Sequence, residues 1–461
     1  MGIIMKTTPI RPKKIAVVGS GISGLSCAWL LNKTHQVTLY EKDDRLGGHS
    51  NTVTLQIDND TVNVDTGFIV FNPLNYPNLV KFFEELEVES CETEMSFAVS
   101  INDGDLEYSG SGLAGLLVQK RNIIRPSFWR MVRQLMRFYR ESEQIMQRSD
   151  LDDISLGQLL EQQGYSQEFI FNHLLPMGAA IWSMPVEKML NYPASSFMRF
   201  CHNHGLLQVN NRPQWRTVIN GSKKYVDILS GQLEGKIRLN SRIHKIIRTS
   251  ERVIIEDKHG HREYYDDVVL ACHSDQAMAL LEQPSPEEER LLSKFPYRRN
   301  KAYLHSDETL MPKRKGAWAS WNYMSEGQIG KSQEVSVTYW MNELQPLNTK
   351  SDLFVSLNPL REPKDGSIIR SFFYDHPEFN RESLIGQKQL WSLQGKQNTW
   401  FCGAYFGYGF HEDGLQSGLA VAEQLGGLER PWQVEDKNSR ITVDDIPSGD
   451  HTSAAVASKV E

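Results

Sequence analysis

Apolar and polar positions fall into strand-like blocks at the start of the chain, and the same pattern returns in the middle and near the end. Ile15–Val18 is a continuous apolar run that meets Gly19-Ser20-Gly21-Ile22-Ser23-Gly24. A short apolar run stopped by glycine reads as a buried strand, and the residues after it open a helix. A second strand is expected over Gln36–Tyr40, and a further strand with a glycine turn over Val62–Phe71. Residues 77–215 change to a helical pattern, with Leu79, Phe82, Phe83 and Leu86 on one face. The apolar stretch Leu174–Pro185 reads as the wall of a substrate cap. A helix is expected to open at Asn220–Val226. Strand patterns resume at Ile237–Leu239, at Ile243, Lys245 and Ile247, at Val253–Ile255 and at Val268–Cys272. From Pro284 the chain is β-rich and aromatic, with Trp318, Trp321, Tyr323, Tyr339 and Trp340. Trp400–Cys402 forms a last strand, and a helix follows His411, its Gly414, Gly418 and Ala422 making one smooth face.

The glycine spacing carries chemistry. Gly19 allows a tight turn, Gly21 lets the backbone approach a pyrophosphate, and Gly24 lets helix and strand pack closely. The helix start, with Ser23 in its first turn, offers free N–H groups and a positive dipole end to phosphate. Glu41 closes the second strand, at the distance where a carboxylate accepts from ribose hydroxyls. A dinucleotide ligand follows. Gly110–Gly115 repeats the glycine spacing, but no buried strand precedes it and no acid follows at the ribose distance, so it reads as a turn opening a helix. The loop Glu41-Lys42-Asp43-Asp44-Arg45-Leu46-Gly47-Gly48 sets the first unit apart from a nicotinamide domain, which needs no basic residue and paired glycines just beyond the ribose acid.

On the glycine loop, the Arg45–Gly48 segment and the helix after Glu412, the chain resembles the flavin-containing amine oxidase superfamily, which includes phytoene desaturases and protoporphyrinogen oxidase. The resemblance implies an α/β fold. A Rossmann-like FAD-binding domain of GR2-type layout is expected over 10–76, 216–283 and 386–432, with an inserted α+β substrate domain over 77–215 and 284–385. It implies non-covalent FAD, held by Gly19, Gly21, Ser23, Gly24, Glu41, Lys42, Arg45, Gly48 and His49. Asp65 and Gly67 lead towards the isoalloxazine, Ile243 sits by the adenine, and Gly403, Glu412, Asp413 and Gly414 serve the flavin end. The chain departs from the family at Ala404, where an acidic residue is usual, so either Glu412 or Asp413 is expected to take over or a backbone contact suffices. His49 stands where arginine is common, and Lys301 where the family places a lysine near flavin N5. Tyr405 and Tyr408 match the aromatic pair that sandwiches an amine in the oxidases, and His411 or His305 is the expected proton acceptor. Cys402 is read as buried in its strand and not as a flavin link.

Residues 65–72, 318–323 and 402–414 look like one bacterial branch, encoded beside cyclopropane-fatty-acid-synthase-like methyltransferases. That resemblance implies hydride abstraction from an apolar, fatty-acyl substrate in a desaturase-like reaction. A flavin amine oxidase releasing peroxide is the alternative, and a non-catalytic FAD-bound partner of a lipid-modifying enzyme the third reading.

Composition narrows the rest. At 461 residues two domains are expected, and a net charge of −7 argues against nucleic acid as a partner. Five cysteines without a CxxC pair suit a reducing compartment. Cys201-His202-Asn203-His204 lacks a third ligand, so no metal is expected. A cytoplasmic protein is expected, with peripheral contact at the inner membrane face through the arginine-rich helix 121–148. The polar tail 436–461 is expected to be disordered.

Overall fold

The computed structural model describes residues 11–444 apart from 58, 183, 209–211 and 329–330. Strand β1 (Lys14–Val18) turns into helix α1 (Ile22–Leu31), and the chain returns in β2 (Gln36–Tyr40). Helices α2 (Pro77–Glu85), α3 (Pro126–Met146) and α4 (Ala194–Asn203) follow. Then come β3 (Ile237–Arg238), β4 (Asp267–Leu270), β5 (Tyr297–His305), β6 (Ile368–Pro377), β7 (Thr399–Phe401) and helix α5 (His411–Gly426).

The first sheet runs β3-β2-β1-β4-β7, with every pairing parallel. Its central strands are apolar on both faces because helices cover both: Ile15 to Val17 and Val268 to Leu270 are fully buried. The strands come from three distant parts of the chain. A second, seven-stranded mixed sheet begins β6-β5 and runs through Phe354–Leu357, Lys331–Trp340, Trp321–Gln328, Phe97–Ile101 and Leu106–Ser109. The expected α/β architecture, with a parallel sheet and a second mixed sheet, is what the fold contains. The glycine-rich decoy opens a short helix, Gly112–Leu116, after a turn.

Asp65 ties the regions together. Its buried carboxylate accepts from Thr52 Oγ1, from Ser222 N–H and Oγ, and from Gln345 Nε2. Burial raises its pKa to about 6, and those hydrogen bonds oppose the rise. The carboxylate is a clamp between segments, not the cofactor contact expected of it. The tail corrects a second expectation. Arg440 N–H donates to Gln416, its guanidinium donates to the Asn75 carbonyl, and Ile441 and Val443 pack on the core. Residues 436–444 are therefore anchored, while 445–461 lie outside the described residues.

Helices α1 and α5 are locked by glycine. A Cβ on Gly418 would stand 2.2 Å from the Ser23 carbonyl oxygen, and one on Gly414 would stand 2.8 Å from Ile22 Cγ2. Gly418→Val must push α5 off α1. It should abolish soluble protein or drop the melting temperature sharply. Gly231, in the helix Lys223–Gln232, has nothing near its would-be Cβ, so Gly231→Ala should add up to about 1 kcal/mol through helix propensity. A Gly418→Val protein that melts with the parent would show that the contact is dispensable.

Candidate functional site

The site is built on the turn from β1 to α1. Gly19 has φ +107°, and a Cβ there would stand 2.7 Å from the Ala271 carbonyl oxygen. A Cβ on Gly24 would be 1.9 Å from the Gly19 carbonyl oxygen. Gly21 is different: no atom lies within 4 Å of its would-be Cβ, and its φ of −65° suits any residue. The position faces open space. No side chain caps α1, and its first turn carries no acid, so its N–H groups are left for a ligand.

Glu41 is buried and turned towards this loop, accepting from Ser20 N–H at 3.0 Å and from Ser20 Oγ and Asp43 N–H. Lys42 is exposed beside it. The Arg45–Gly48 segment folds back onto the glycines: Gly47 N–H donates to the Ser20 carbonyl, and the Gly48 would-be Cβ lies 3.2 Å from Gly21 Cα. Arg45 braces the segment by donating to the Gly48 carbonyl at 2.9 Å. Gly67 packs so tightly that a Cβ would meet the His49 carbonyl oxygen at 2.2 Å. Ile243, half-buried, begins the antiparallel strand Ile243–Arg248.

The start of α5 meets the start of α1 here, through Gly414 against Ile22 and Ser23. The two acids of its first turn do not face the ligand side. Glu412 accepts from Asn78 N–H, Asn78 Nδ2, Leu79 N–H and Gln416 Nε2, so it caps α2. Asp413 accepts from Phe410 N–H and lies 3.6 Å from buried Arg440. Burial raises its pKa to about 6, against the pull of Arg440. Neither replaces the acid missing at Ala404. Gly403 N–H is engaged too, by Ser417 Oγ.

The catalytic candidates scatter. Tyr405 packs on Phe295 and Phe406, while Tyr408 lies against Phe200. His411 stacks on Phe68 at 3.7 Å, and its Nε2 is within hydrogen-bond distance of Ser50 Oγ and Tyr225 OH. Burial pushes its pKa down to about 3, which makes it a poor proton acceptor. His305 is satisfied in the second sheet by Ser356 Oγ and Asp307 N–H. Lys301 points outward to Glu362. Cys402 is buried and hydrogen-bonded to Cys27.

A histidine wall takes their place. His49 packs on Tyr374 and stacks on His376, at 5.1 and 5.3 Å, and its Nε2 is buried without a partner among the described residues. The tautomer of His376 follows from a chain of bonds. Lys301 main-chain N–H can only donate, so it fixes Asn358 Oδ1 as the acceptor at 3.0 Å. Asn358 Nδ2 then donates to Asn300 Oδ1, and Asn300 Nδ2 donates to the Arg298 carbonyl and to His376 Nδ1. Burial, with His273 nearby, lowers the His376 pKa to about 4. The neutral ring therefore carries its proton on Nε2. Alternation along β6 puts Tyr374 and His376 on one face, a signal readable from sequence but not taken there.

Next to α5 stands an aromatic cluster. Trp182 touches Tyr192 and Phe200, both at 4.7 Å, and Phe200 stacks on His204 and Phe410. Trp182 belongs to the apolar wall expected at Leu174–Pro185. His204 Nε2 and Trp182 Nε1 are buried without partners among the described residues.

The family profile for flavin containing amine oxidoreductases matches residues 22–354. The chain is 38% identical over 77 residues to 15-cis-phytoene desaturase of Synechococcus elongatus, covering 16% of this chain and 15% of that protein. It is 25% identical over 308 residues to a Mycobacterium tuberculosis protein named as flavin-containing monoamine oxidase AofH, covering 64% of this chain and 65% of that one. The chain thus matches less than two thirds of the length of either relative. Among solved structures, a putrescine oxidase double mutant superposes with a TM-score of 0.64 at 15% identity, covering 90% of this chain and 99% of that one. A CLA-producing fatty acid isomerase from P. acnes gives 0.61 at 14% identity, covering 90% and 98%.

The histidines set a pH dependence. Burial lowers His173, His305 and His376 to about 4, and His204 and His411 to about 3. A folded pKa below the unfolded 6.5 means that stability is complete above pH 6.5 and lost as pH falls towards 4, by at most about 3 kcal/mol for a histidine lowered to 4. Asp65 and Asp413, both raised to about 6, act the other way between pH 4 and 6. Five histidines outweigh two carboxylates, so the melting temperature should be flat above pH 7 and fall below 6.5. His305→Gln should flatten that fall. A melting temperature constant from pH 7 to 5 would contradict the neutral histidines.

Proposed function

Because the chain belongs to the flavin-containing amine oxidoreductase family, we propose that it is an FAD-dependent enzyme. In this reading it holds FAD non-covalently and abstracts hydride from an apolar, fatty-acyl substrate in a desaturase-like reaction. The observation that carries the cofactor is the convergence of the α1 and α5 N-termini beside the open face of Gly21, roofed by the Arg45–Gly48 loop. The uncapped first turn of α1 and the unpaired His49 Nε2 fit the group. Gly19, Gly21, Ser23 and Gly24 would receive the pyrophosphate, and Glu41 the ribose. Lys42, Arg45, Gly48, Gly67 and Ile243 would border the cofactor, with Gly403 and Gly414 at its flavin end. The discontinuous cofactor domain, 10–76, 216–283 and 386–432, is part of this proposal.

Bound there, FAD would supply the two-electron hydride acceptor that a desaturation needs. The chain's own groups do the orienting. The α5 dipole favours negative charge at its start, with Arg440 close behind. His376 offers a fixed Nε2–H, and His49 an unpaired ring nitrogen.

The substrate reading rests on the cluster of Trp182, Tyr192, Phe200, His204, Tyr408 and Phe410. It presents aromatic faces and a histidine held neutral. An amine oxidase would gain from paired rings, and Tyr405 and Tyr408 face different neighbours. The phytoene desaturase match is compatible with an apolar substrate, and the fatty acid isomerase likeness with an acyl one. The link to cyclopropane-fatty-acid-synthase-like methyltransferases belongs to the same reading.

The purified protein should be yellow and release FAD on denaturation. Gly21→Trp fills space that no protein atom occupies, so the protein should melt like the parent apoprotein yet bind no flavin. Flavin retained by Gly21→Trp would move the cofactor elsewhere. Under anaerobic conditions, phospholipids with methyl-branched acyl chains should bleach the flavin and polyamines should not. Bleaching by amines alone would favour the oxidase, and bleaching by nothing tested would favour the non-catalytic partner. His376→Phe keeps the ring stack and removes the N–H. Bleaching should slow roughly 10- to 100-fold, as for a lost hydrogen bond of about 1.5–3 kcal/mol to a charged group. An unchanged rate would mean that this N–H faces elsewhere.

A further inference from the structure

Exposed large apolar side chains concentrate in one place. Of eleven among the described residues, five fall between 113 and 136: Leu113, Ile123, Ile124, Trp129 and Met136. Ile124 is 83% exposed, an unfavourable position in water. The 3-10 turn Lys120–Ile124 and helix α3 carry four of them, and Leu113 lies in the short helix just upstream.

The patch has order and charge. Trp129, Arg133, Met136 and Arg140, spaced by four, three and four residues, are all exposed and form one stripe along α3. Trp129 Nε1 donates to the Ile123 carbonyl at 2.8 Å, which pins the helix start to the isoleucine turn. Residues 113–140 contain seven Lys or Arg and no Asp or Glu, in a chain of net charge −7. Arg121 and Arg125 pair with Asp105, Arg130 with Glu168 and Arg137 with Glu141. No carboxylate among the described residues lies in ion-pair range of Lys120, Arg133 or Arg140.

We propose that this face docks on an anionic lipid bilayer, with Ile123, Ile124, Trp129 and Met136 entering the interface and Lys120, Arg133 and Arg140 meeting the headgroups. Apolar side chains alternating with long basic ones suit that boundary, where tryptophan favours the headgroup level and arginine keeps its head in water. A soluble protein partner would not require a stripe without one acidic residue.

The placement also bears on the substrate, and in this respect it rests on the acyl-lipid reading above. The inner face of α3 buries Phe128, Met131 and Phe138, and α3 packs against α4. Helix α4 carries Phe200, which belongs to the aromatic cluster. One layer of helix therefore separates the docked face from the aromatic cluster on which the substrate reading rests.

The test is sedimentation of the intact flavoprotein with phosphatidylcholine vesicles, with and without phosphatidylglycerol, at low and high salt. Binding should require the anionic lipid and fall roughly tenfold or more at high salt. Ile124→Glu and Met136→Glu alter exposed side chains, so folding is spared, and together they should reduce binding roughly tenfold. Phe373→Glu, at an exposed apolar residue on another face, should leave it unchanged. Equal binding to neutral vesicles, or an equal loss in Phe373→Glu, overturns the proposal. So does a dimer in sedimentation velocity that Ile124→Glu splits while vesicle binding stays absent, which would make the patch a contact between copies. Vesicle binding without flavin bleaching by any lipid would sink the substrate reading and leave the surface standing. Bleaching by detergent-dispersed lipid without vesicle binding would do the reverse.

Discussion

Everything at the candidate site depends on two helices touching without side chains between them. The closest protein atom to a Cβ on Gly418 would be a carbonyl oxygen of α1 at 2.2 Å. Backbone contact at that range sets α5 against α1 far more tightly than leucine or valine packing could, since interdigitated side chains hold helix axes 8–10 Å apart. With the spacing set, both N-termini end at one place. The dipoles of two helices, and the unpaired N–H groups of the uncapped one, then add where a pyrophosphate and an electron-rich ring would lie.

The charged groups around that place are mostly turned away or neutral. Glu412 caps another helix, Asp413 meets Arg440, and the histidines are uncharged at neutral pH. Fixed backbone dipoles therefore act at the site beside the charges of Glu41, Lys42 and Arg45. Such dipoles need no reorganisation when charge appears on a bound group, which is how a dry interior can stabilise it.

Parts of this arrangement were readable from the chain and parts were not. The glycine loop was readable because its geometry excludes other residues, as Gly19 and Gly24 show. The smooth face of α5 was readable for the same reason. Directions of single polar side chains were not. Glu412 in a first turn can cap its own helix or another's, and only the approach of α2 decides. Lys301 and Asn300 are neighbours on one strand, so alternation sends one to solvent and the other to His376. Tyr405 and Tyr408 straddle Gly407, and the 3-10 turn Ala404–Phe406 sends them to different neighbours. Arg440 sat in a stretch too polar to predict a fold, yet two acids on α5 create a buried place for one cation.

The parallel sheet has a temporal consequence. Strand β1 and its glycine turn leave the ribosome early, but edge strand β7 (which pairs with β4), helix α5 and the Arg440 that backs it follow some 380 to 420 residues later. At roughly 5–20 residues per second the gap is tens of seconds. Throughout that interval the surface of α1 that α5 covers has no partner, and from the emergence of β4 onward neither has the edge that β7 will pair. The nascent chain therefore carries an incomplete candidate site with an aggregation-prone flank. Before α5 arrives only the α1 half of the candidate site exists, so its completion belongs to the period after translation of residue 440.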